Sequence, residues 1–109
     1  MSRISTHVLD TATGRPAAGI AMRLEAESNG VWNAIAEGAT DADGRWKTPA
    51  ENAAAGEYRI VFLTARYFSG QGRRSLYPEI AVTFTCDGET HYHLPVLLSE
   101  NGYTTYRGS

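Results

Sequence analysis

The 109-residue sequence lacks most of the features that mark specialised protein classes. Its one cysteine, Cys86, cannot form an internal disulfide, which excludes a small fold held by cross-links, and we expect Cys86 to be a strand residue rather than a nucleophile. No run approaches the roughly 18 apolar residues of a membrane span. Met1–Ile4 leads into β-rich sequence without the apolar stretch of a signal peptide. We therefore expect a cytoplasmic protein with no membrane partner.

The charge balance excludes a further class. Ten basic against twelve acidic residues give a formal charge of −2, whereas nucleic-acid-binding domains usually carry a basic stripe. Nine of the ten basic residues are arginine, which suits planar, bidentate recognition of polar groups. A hydrophobic content of 42% is typical of globular proteins. We expect one domain, residues 1–109, with no nucleic-acid partner.

What the chain does contain is a series of short strand-like runs separated by turns. Eleven glycines and four prolines interrupt it, and Asn29-Gly30 has the composition of a tight hairpin. Tyr58–Leu63 is largely apolar or amphipathic on both faces, which predicts a central strand. The predicted strands are 4–9, 20–26, 31–36, 58–63, 79–85, 91–98 and 103–107, with one short helix within 64–72. This pattern predicts an all-β fold, an antiparallel β-sandwich of seven to eight short strands with at most one short helix.

Such a sandwich leaves strands at the edges of its sheets. Their unpaired N–H and C=O groups are commonly covered by pairing between subunits, and closed oligomers are usually symmetric. We therefore expect a homodimer or a homotetramer.

Three histidines are the main candidates for chemistry. His91 and His93 stand two residues apart on one predicted strand, so they share a face while Tyr92 points to the other, and His7 lies on the first strand. Imidazole, with an ordinary pKa of about 6.5, exchanges protons near neutrality. Two other interpretations stay open, hydrogen bonding at a sheet rim and a zinc site of three imidazoles. The His-x-His pair is not a specific metal signature, and no acidic residue stands within it to orient the rings.

Two further segments carry candidates. Arg45 follows the Asp43-Gly44 turn and precedes Trp46, where an exposed arginine packing on the indole is the ordinary interpretation. Residues 101–109 have the composition of a β-strand, although the last residues of a chain usually fray. This composition indicates a tail that is held in place, and an ordinary edge strand is an equally good interpretation. The sequence has no nucleophile elbow, phosphate-binding loop or Cys–His signature, so the nucleophile of any hydrolytic reaction is expected to be water.

Several of these segments resemble motifs of the transthyretin-related family, and together they span positions 4 to 109. The matching segments are Thr6–Asp10, Gly14–Ala17, Thr40–Arg45, Tyr77–Ile80, His91–Ser99 and Tyr106–Ser109. The last two are the most specific, and they resemble the members of the family that hydrolyse 5-hydroxyisourate. One departure is visible: Glu100-Asn101 stands where those hydrolases often have proline and an aromatic residue.

The resemblance implies a transthyretin-like sandwich assembled as a homotetramer, with sites at the dimer–dimer interface and neither cofactor nor metal. The implied reaction is hydrolysis of 5-hydroxyisourate to 2-oxo-4-hydroxy-4-carboxy-5-ureidoimidazoline in urate degradation. A non-catalytic module that binds a planar aromatic ligand is the alternative. The histidines and the Tyr-Arg-Gly-Ser ending oppose that alternative, since vertebrate transthyretin lacks both.

The resemblance also implies which residues act. The implied catalytic residues are His7, Arg45, His93, Arg107 and Ser109, and the implied substrate-binding residues are His7, Arg45 and Tyr106. We expect a histidine to activate water, with His93 favoured over His7. Arginine stays protonated, so Arg45 and Arg107 are expected to grip the substrate and stabilise the oxyanion. Tyr106 and Ser109 are expected to orient the ring and the water. Of the three histidines, His91 is the one whose role the resemblance supports least.

Overall fold

The computed structural model describes residues 3–49 and 53–109, so Met1 and Ser2 of the N-terminal segment discussed above lie outside the described residues. Within that part of the chain, nine strands and one helix follow one another. They are β1 (Arg3–Asp10), β2 (Arg15–Pro16), β3 (Ala21–Ser28), β4 (Val31–Ala39), β5 (Arg45–Lys47), β6 (Gly56–Phe62), α1 (Thr64–Ser69), β7 (Ile80–Cys86), β8 (His91–Ser99) and β9 (Gly102–Thr105). Among the described residues, no helix has the length and apolar content needed to cross a membrane.

The strands form two sheets. In sheet I, β1 pairs with β8 on one side and with both β2 and β5 on the other, and β9 extends the sheet beyond β8. Sheet II has the order β4-β3-β6-β7, which confirms the central position predicted for the strand at Tyr58–Leu63. The antiparallel sandwich is confirmed, with one exception: β1 and β8 run parallel, from Arg3 opposite His91 to Asp10 opposite Leu98.

Side chains that alternate along the strands fill the space between the sheets. Ile4 and Val8 of β1 and Val96 of β8 are each 1% exposed, as is Phe62 of β6. Full burial of each such side chain contributes about 1.5–3 kcal/mol. Because successive strand residues point to opposite faces, this pattern turns the intervening residues of β1 and β8 to the outer face of sheet I.

The predicted turn and helix are both present. Asn29 and Gly30 have φ values of 54° and 79°, the left-handed conformation that a two-residue hairpin turn requires. The six-residue helix α1 lies within the predicted 64–72 segment. A helix this short is not stable alone, and the completely buried ring of Phe68 attaches it to the core.

An ion-pair cluster built on the buried carboxylate of Asp10 fixes the turn between β8 and β9. Arg73 donates from Nη1 to Oδ2 of Asp10 at 2.7 Å and from Nη2 to Oε1 of Glu100 at 2.8 Å. The hydroxyl of Tyr67 donates to the same Asp10 oxygen at 2.8 Å. Burial alone would raise the pKa of Asp10, but the hydrogen bonds from Arg73 and Tyr67 outweigh it and lower that pKa. Glu100, part of the departure noted in the sequence, is therefore the residue through which Arg73 holds this turn.

Candidate active site

A cleft of about 160 Å³ opens on sheet I. We call it the histidine cleft, and its lining residues are Ser5, Thr6, Arg45, Trp46, Lys47, His91, His93 and Ser109. Strand register brings them together, because Ser5 lies opposite His93 on β8 and opposite Lys47 on β5. Three strands that are far apart in sequence thus contribute to one surface.

The two histidines of β8 share one hydrogen-bonding partner. The Oγ atom of Ser5 lies 2.8 Å from Nε2 of His91 and 2.8 Å from Nδ1 of His93. Ser5 is buried beneath the two rings, at 7% exposure, and His91 is exposed. Tyr92 points the other way and is 4% exposed, so the opposite-face prediction for the His-x-His pair is confirmed.

His93 has the electrostatic surroundings of a neutral base. Its ring is partly buried, and this burial lowers its pKa, as do the nearby charges of His91, Arg45 and His7. Each of these effects disfavours the imidazolium form. His93 is therefore mainly neutral at neutral pH, and one of its ring nitrogens can accept a proton.

His7 lies on the same outer face but is tied to the turn before β5. Its Nε2 atom is 2.8 Å from the backbone carbonyl oxygen of Asp43. Because a carbonyl only accepts, Nε2 of His7 carries a hydrogen, and only Nδ1 can take a proton from a reactant. Among the described residues, His7 is adjacent to the histidine cleft rather than one of its lining residues.

Arg45 enters the cleft from a rigid turn. The Asp41 carboxylate accepts hydrogen bonds from the backbone N–H groups of Asp43 (2.9 Å) and Arg45 (3.0 Å), which fixes the start of β5. The Arg45 side chain is exposed, whereas Trp46 is buried in the core. The guanidinium is therefore available to a ligand in the cleft.

The last residues of the chain divide between the cleft and its surroundings. The N–H of Gly108 donates to the His93 carbonyl at 2.8 Å, and Ser109 lines the cleft. The guanidinium of Arg107 instead lies over the Tyr92 ring, 4.6 Å from its centroid, and contacts the His91 carbonyl at 3.4 Å. Tyr106 is 54% exposed. The structure thus brings His93, Arg45 and Ser109 together and leaves Arg107 and Tyr106 outside the cleft. The roles given to all five residues stay predictions.

The zinc alternative can be compared with the geometry. Within residues 3–49 and 53–109, no three His, Cys, Asp or Glu side chains are grouped so that they could hold a metal ion.

Cys86 is buried in the core, where burial raises the pKa of its thiol to about 11. It is therefore protonated at neutral pH and does not take part in the cleft.

Four residues that line the cleft, Ser5, Thr6, Trp46 and Lys47, were not predicted from the sequence as site residues, and Ser5 and Lys47 show why. Ser5 stands two residues before His7, a spacing that places both on one face of β1, but its contact with His91 and His93 depends on the parallel pairing with β8. Lys47 stands two residues after Arg45, and side chains two residues apart on a strand point to the same face, so both lie on one face of β5. The alternation was available in the sequence, but the strand register was not.

Comparison with known proteins assigns the family. The HIUase/Transthyretin family matches residues 4–108. A curated 5-hydroxyisourate hydrolase of Salmonella typhimurium is 44% identical over 109 residues, which covers 97% of this chain and 80% of that protein. The structure of Klebsiella pneumoniae 5-hydroxyisourate hydrolase superposes with a TM-score of 0.90 at 39% identity and covers all of both chains. Transthyretin from Sparus aurata gives a TM-score of 0.87 at 32% identity over 96% of this chain and 95% of that one. This chain therefore belongs to the HIUase/Transthyretin family.

Proposed function

We propose that this protein hydrolyses 5-hydroxyisourate to 2-oxo-4-hydroxy-4-carboxy-5-ureidoimidazoline. The observation that carries the proposal is a neutral, partly buried His93 in a cleft shared with the Arg45 guanidinium. Relatives named 5-hydroxyisourate hydrolase at about 40% identity support the same substrate. In this reaction the oxygen of water attacks a ring carbonyl carbon, the carbon–nitrogen bond breaks, and the ring nitrogen gains a proton while a carboxylate forms.

His93 is the base that activates water. Its pKa is lowered, so the neutral imidazole is available, and proton abstraction by a positioned histidine contributes about 10²–10⁴-fold to the rate. His7 is less suited to this step because its Nε2 hydrogen is engaged by the Asp43 carbonyl. We assign His7 to positioning the substrate indirectly, because its hydrogen bond to Asp43 holds the turn that leads into Arg45.

Arg45 stabilises the oxyanion. A guanidinium supplies a permanent positive charge and paired N–H donors, which suit a planar ring substrate. Removing one donor of this kind typically lowers kcat by about 10²–10³-fold. Ser109 lies at the same cleft and is assigned to orienting the substrate or the water. Arg107 and Tyr106 complete the grip on the substrate in this proposal.

A second copy of the chain completes the site. The histidine cleft holds about 160 Å³, whereas pockets that enclose a small molecule usually measure about 300–1,000 Å³. Arg45 and His91, which line the cleft, are exposed. We propose a homotetramer in which the outer faces of two copies of sheet I form the enclosed site. Sedimentation should give about four times the monomer mass, and a fully active monomer would contradict this assembly.

The direct test is spectroscopic. 5-Hydroxyisourate is generated in situ from urate and urate oxidase, and its absorbance decay is followed with and without this protein. The expected result is acceleration proportional to protein concentration. A folded protein that leaves the spontaneous rate unchanged would exclude the hydrolase, and binding of the compound without turnover would favour the ligand-binding alternative.

A further inference from the structure

The hydroxyl of Ser5 lies between two imidazoles and contacts both. Its Oγ is 2.8 Å from His91 Nε2 and 2.8 Å from His93 Nδ1, and Ser5 itself is 7% exposed. The parallel pairing of β1 with β8 places Ser5 directly opposite His93. The contact therefore belongs to the sheet itself and not to a loose surface arrangement.

The single hydrogen of the Ser5 hydroxyl limits this arrangement, because the hydroxyl can donate to only one ring, whereas its two lone pairs can accept from either. With that hydrogen placed in one of the two contacts, Ser5 accepts from the other ring, and two states result. In the first state, His93 Nδ1–H donates to Ser5, and Ser5 donates to His91 Nε2. In the second state, both bonds are reversed. Only the first leaves Nε2 of His93 without a hydrogen and able to take a proton from water.

We propose that Ser5 is a positioning residue that sets the tautomer of His93 and passes its excess proton to His91. This inference rests on the proposed function for its catalytic meaning. When His93 Nε2 takes a proton from water, its Nδ1 hydrogen moves to Ser5 Oγ and the Ser5 hydrogen moves to His91 Nε2. The result is the second state with an additional proton on His91 and a neutral His93. Reversal of these shifts returns the proton through His93 Nε2 to the leaving ring nitrogen.

The surroundings of the two rings favour this direction of transfer. The charged or titratable groups near His93 are His91 on β8, His7 on β1, and Arg45 and Lys47 on β5. The positive charges of Arg45 and Lys47 oppose a further positive charge on the partly buried His93. His91 is exposed, so water hydrates the imidazolium there. The excess proton therefore moves outward along the Ser5 hydroxyl.

The test reads the tautomer directly. Nitrogen-15 NMR of histidine-labelled protein distinguishes a protonated from an unprotonated ring nitrogen, and it needs no substrate. In the unaltered protein at neutral pH, we expect His93 to carry its hydrogen on Nδ1. In Ser5→Ala, we expect the hydrogen on Nε2. A His93 that carries it on Nε2 in the unaltered protein would overturn the inference, whatever the activity.

Kinetics provide the second measurement. Ser5→Ala should lower kcat by about 10²-fold with little change in KM, because a base in the wrong tautomer fails at the proton transfer and not at binding. Ser5→Thr keeps the hydroxyl and should restore most of this loss. The matched control is Thr11→Val, which removes a hydroxyl that donates from the residue just after β1 to the Leu98 carbonyl of β8, away from the cleft. Active protein with normal kcat in Ser5→Ala would refute the role of Ser5 and leave the hydrolase proposal standing.

Discussion

Gly108 lies so close to His93 that no side chain fits between them. A Cβ atom built on Gly108 would come within 2.7 Å of Cδ2 of His93 and within 3.1 Å of Cγ of Pro95. Gly108→Ala should therefore displace either the end of the chain or the His93 ring. A shift of about 1 Å in a catalytic group costs about 10²-fold in rate, so we expect a loss of that order in kcat/KM with the unfolding midpoint nearly unchanged.

Gly102→Ala is the matched control for this substitution. Gly102 belongs to β9, its φ is not positive, and a Cβ there meets nothing within 4 Å. The kcat/KM of Gly102→Ala should equal that of the unaltered protein. Equal activity in both variants would show that the approach of Gly108 to His93 has no role in catalysis.

Glutamine substitutions should separate the two candidate bases. His93→Gln removes the proton acceptor and should lower kcat by about 10²–10⁴-fold with a smaller change in KM. In His7→Gln, the amide N–H group can still donate to the Asp43 carbonyl, which accepts from His7 Nε2 at 2.8 Å, so the kcat loss should be smaller. Steady-state kinetics on the two purified variants make the comparison, and a larger kcat loss in His7→Gln would exchange the assignments.

The pH profile should respond to charge at position 45. The pKa of His93 is lowered by burial and by His91, Arg45 and His7, so kcat/KM should stay constant as pH falls to about 6.5, the ordinary histidine value, and decline only below it. Arg45→Gln removes one positive charge, which should move the decline to higher pH as well as lower kcat. Arg45→Lys keeps the charge and should leave the decline in place. A profile that is the same in all three proteins would contradict a catalytic role for neutral His93.

Acid stability should depend on Asp10. Its side chain is fully buried, and Arg73 and Tyr67 lower its pKa despite burial, so its stabilising contribution is present above the unfolded-state value of about 3.9. That contribution is lost as pH falls through the lower folded-state pKa. Asp10→Asn should reduce the free energy of unfolding at pH 7 by about 3 kcal/mol and make it less dependent on pH below 4. Urea denaturation measures both, with exposed Glu57→Gln as the unaffected control. An Asp10→Asn protein as stable as the control would exclude the ion pair as a stabilising contact.

Local patterns in the sequence were enough to predict much of the fold. The Asn29-Gly30 turn, the central strand at Tyr58–Leu63 and the short helix are confirmed because each depends on neighbouring residues. The two- and three-residue strands β2 and β5 were not predicted, since a run of that length has no periodicity to detect. The parallel pairing of β1 with β8 joins residues more than eighty positions apart, which no local pattern records.

The site was predicted as a set of residue types and not as a geometry. The His-x-His spacing placed His91 and His93 on one face, and that placement is confirmed. The position of Arg107 over Tyr92 could not be foreseen, because it depends on the path of the chain after β9. Ser5 was overlooked for a related reason: a serine in a strand acquires significance only through the strand beside it.

The pairing of the first and eighth strands has a consequence for the order of events during folding. Ser5 and His93 are separated by 88 positions, so the surface that holds both cannot exist until almost the whole sequence has been synthesised. Contacts of such long range generally slow folding, because a large loop must close before they form. During synthesis the edge of β1 that later receives β8 is an open template for pairing with other chains. The hydrogen bonds between β1 and β8 that assemble the histidine cleft therefore form only after β8 has been synthesised. Slow translation prolongs the time during which the edge of β1 is unpaired, and we expect more aggregation of the nascent chain as a result.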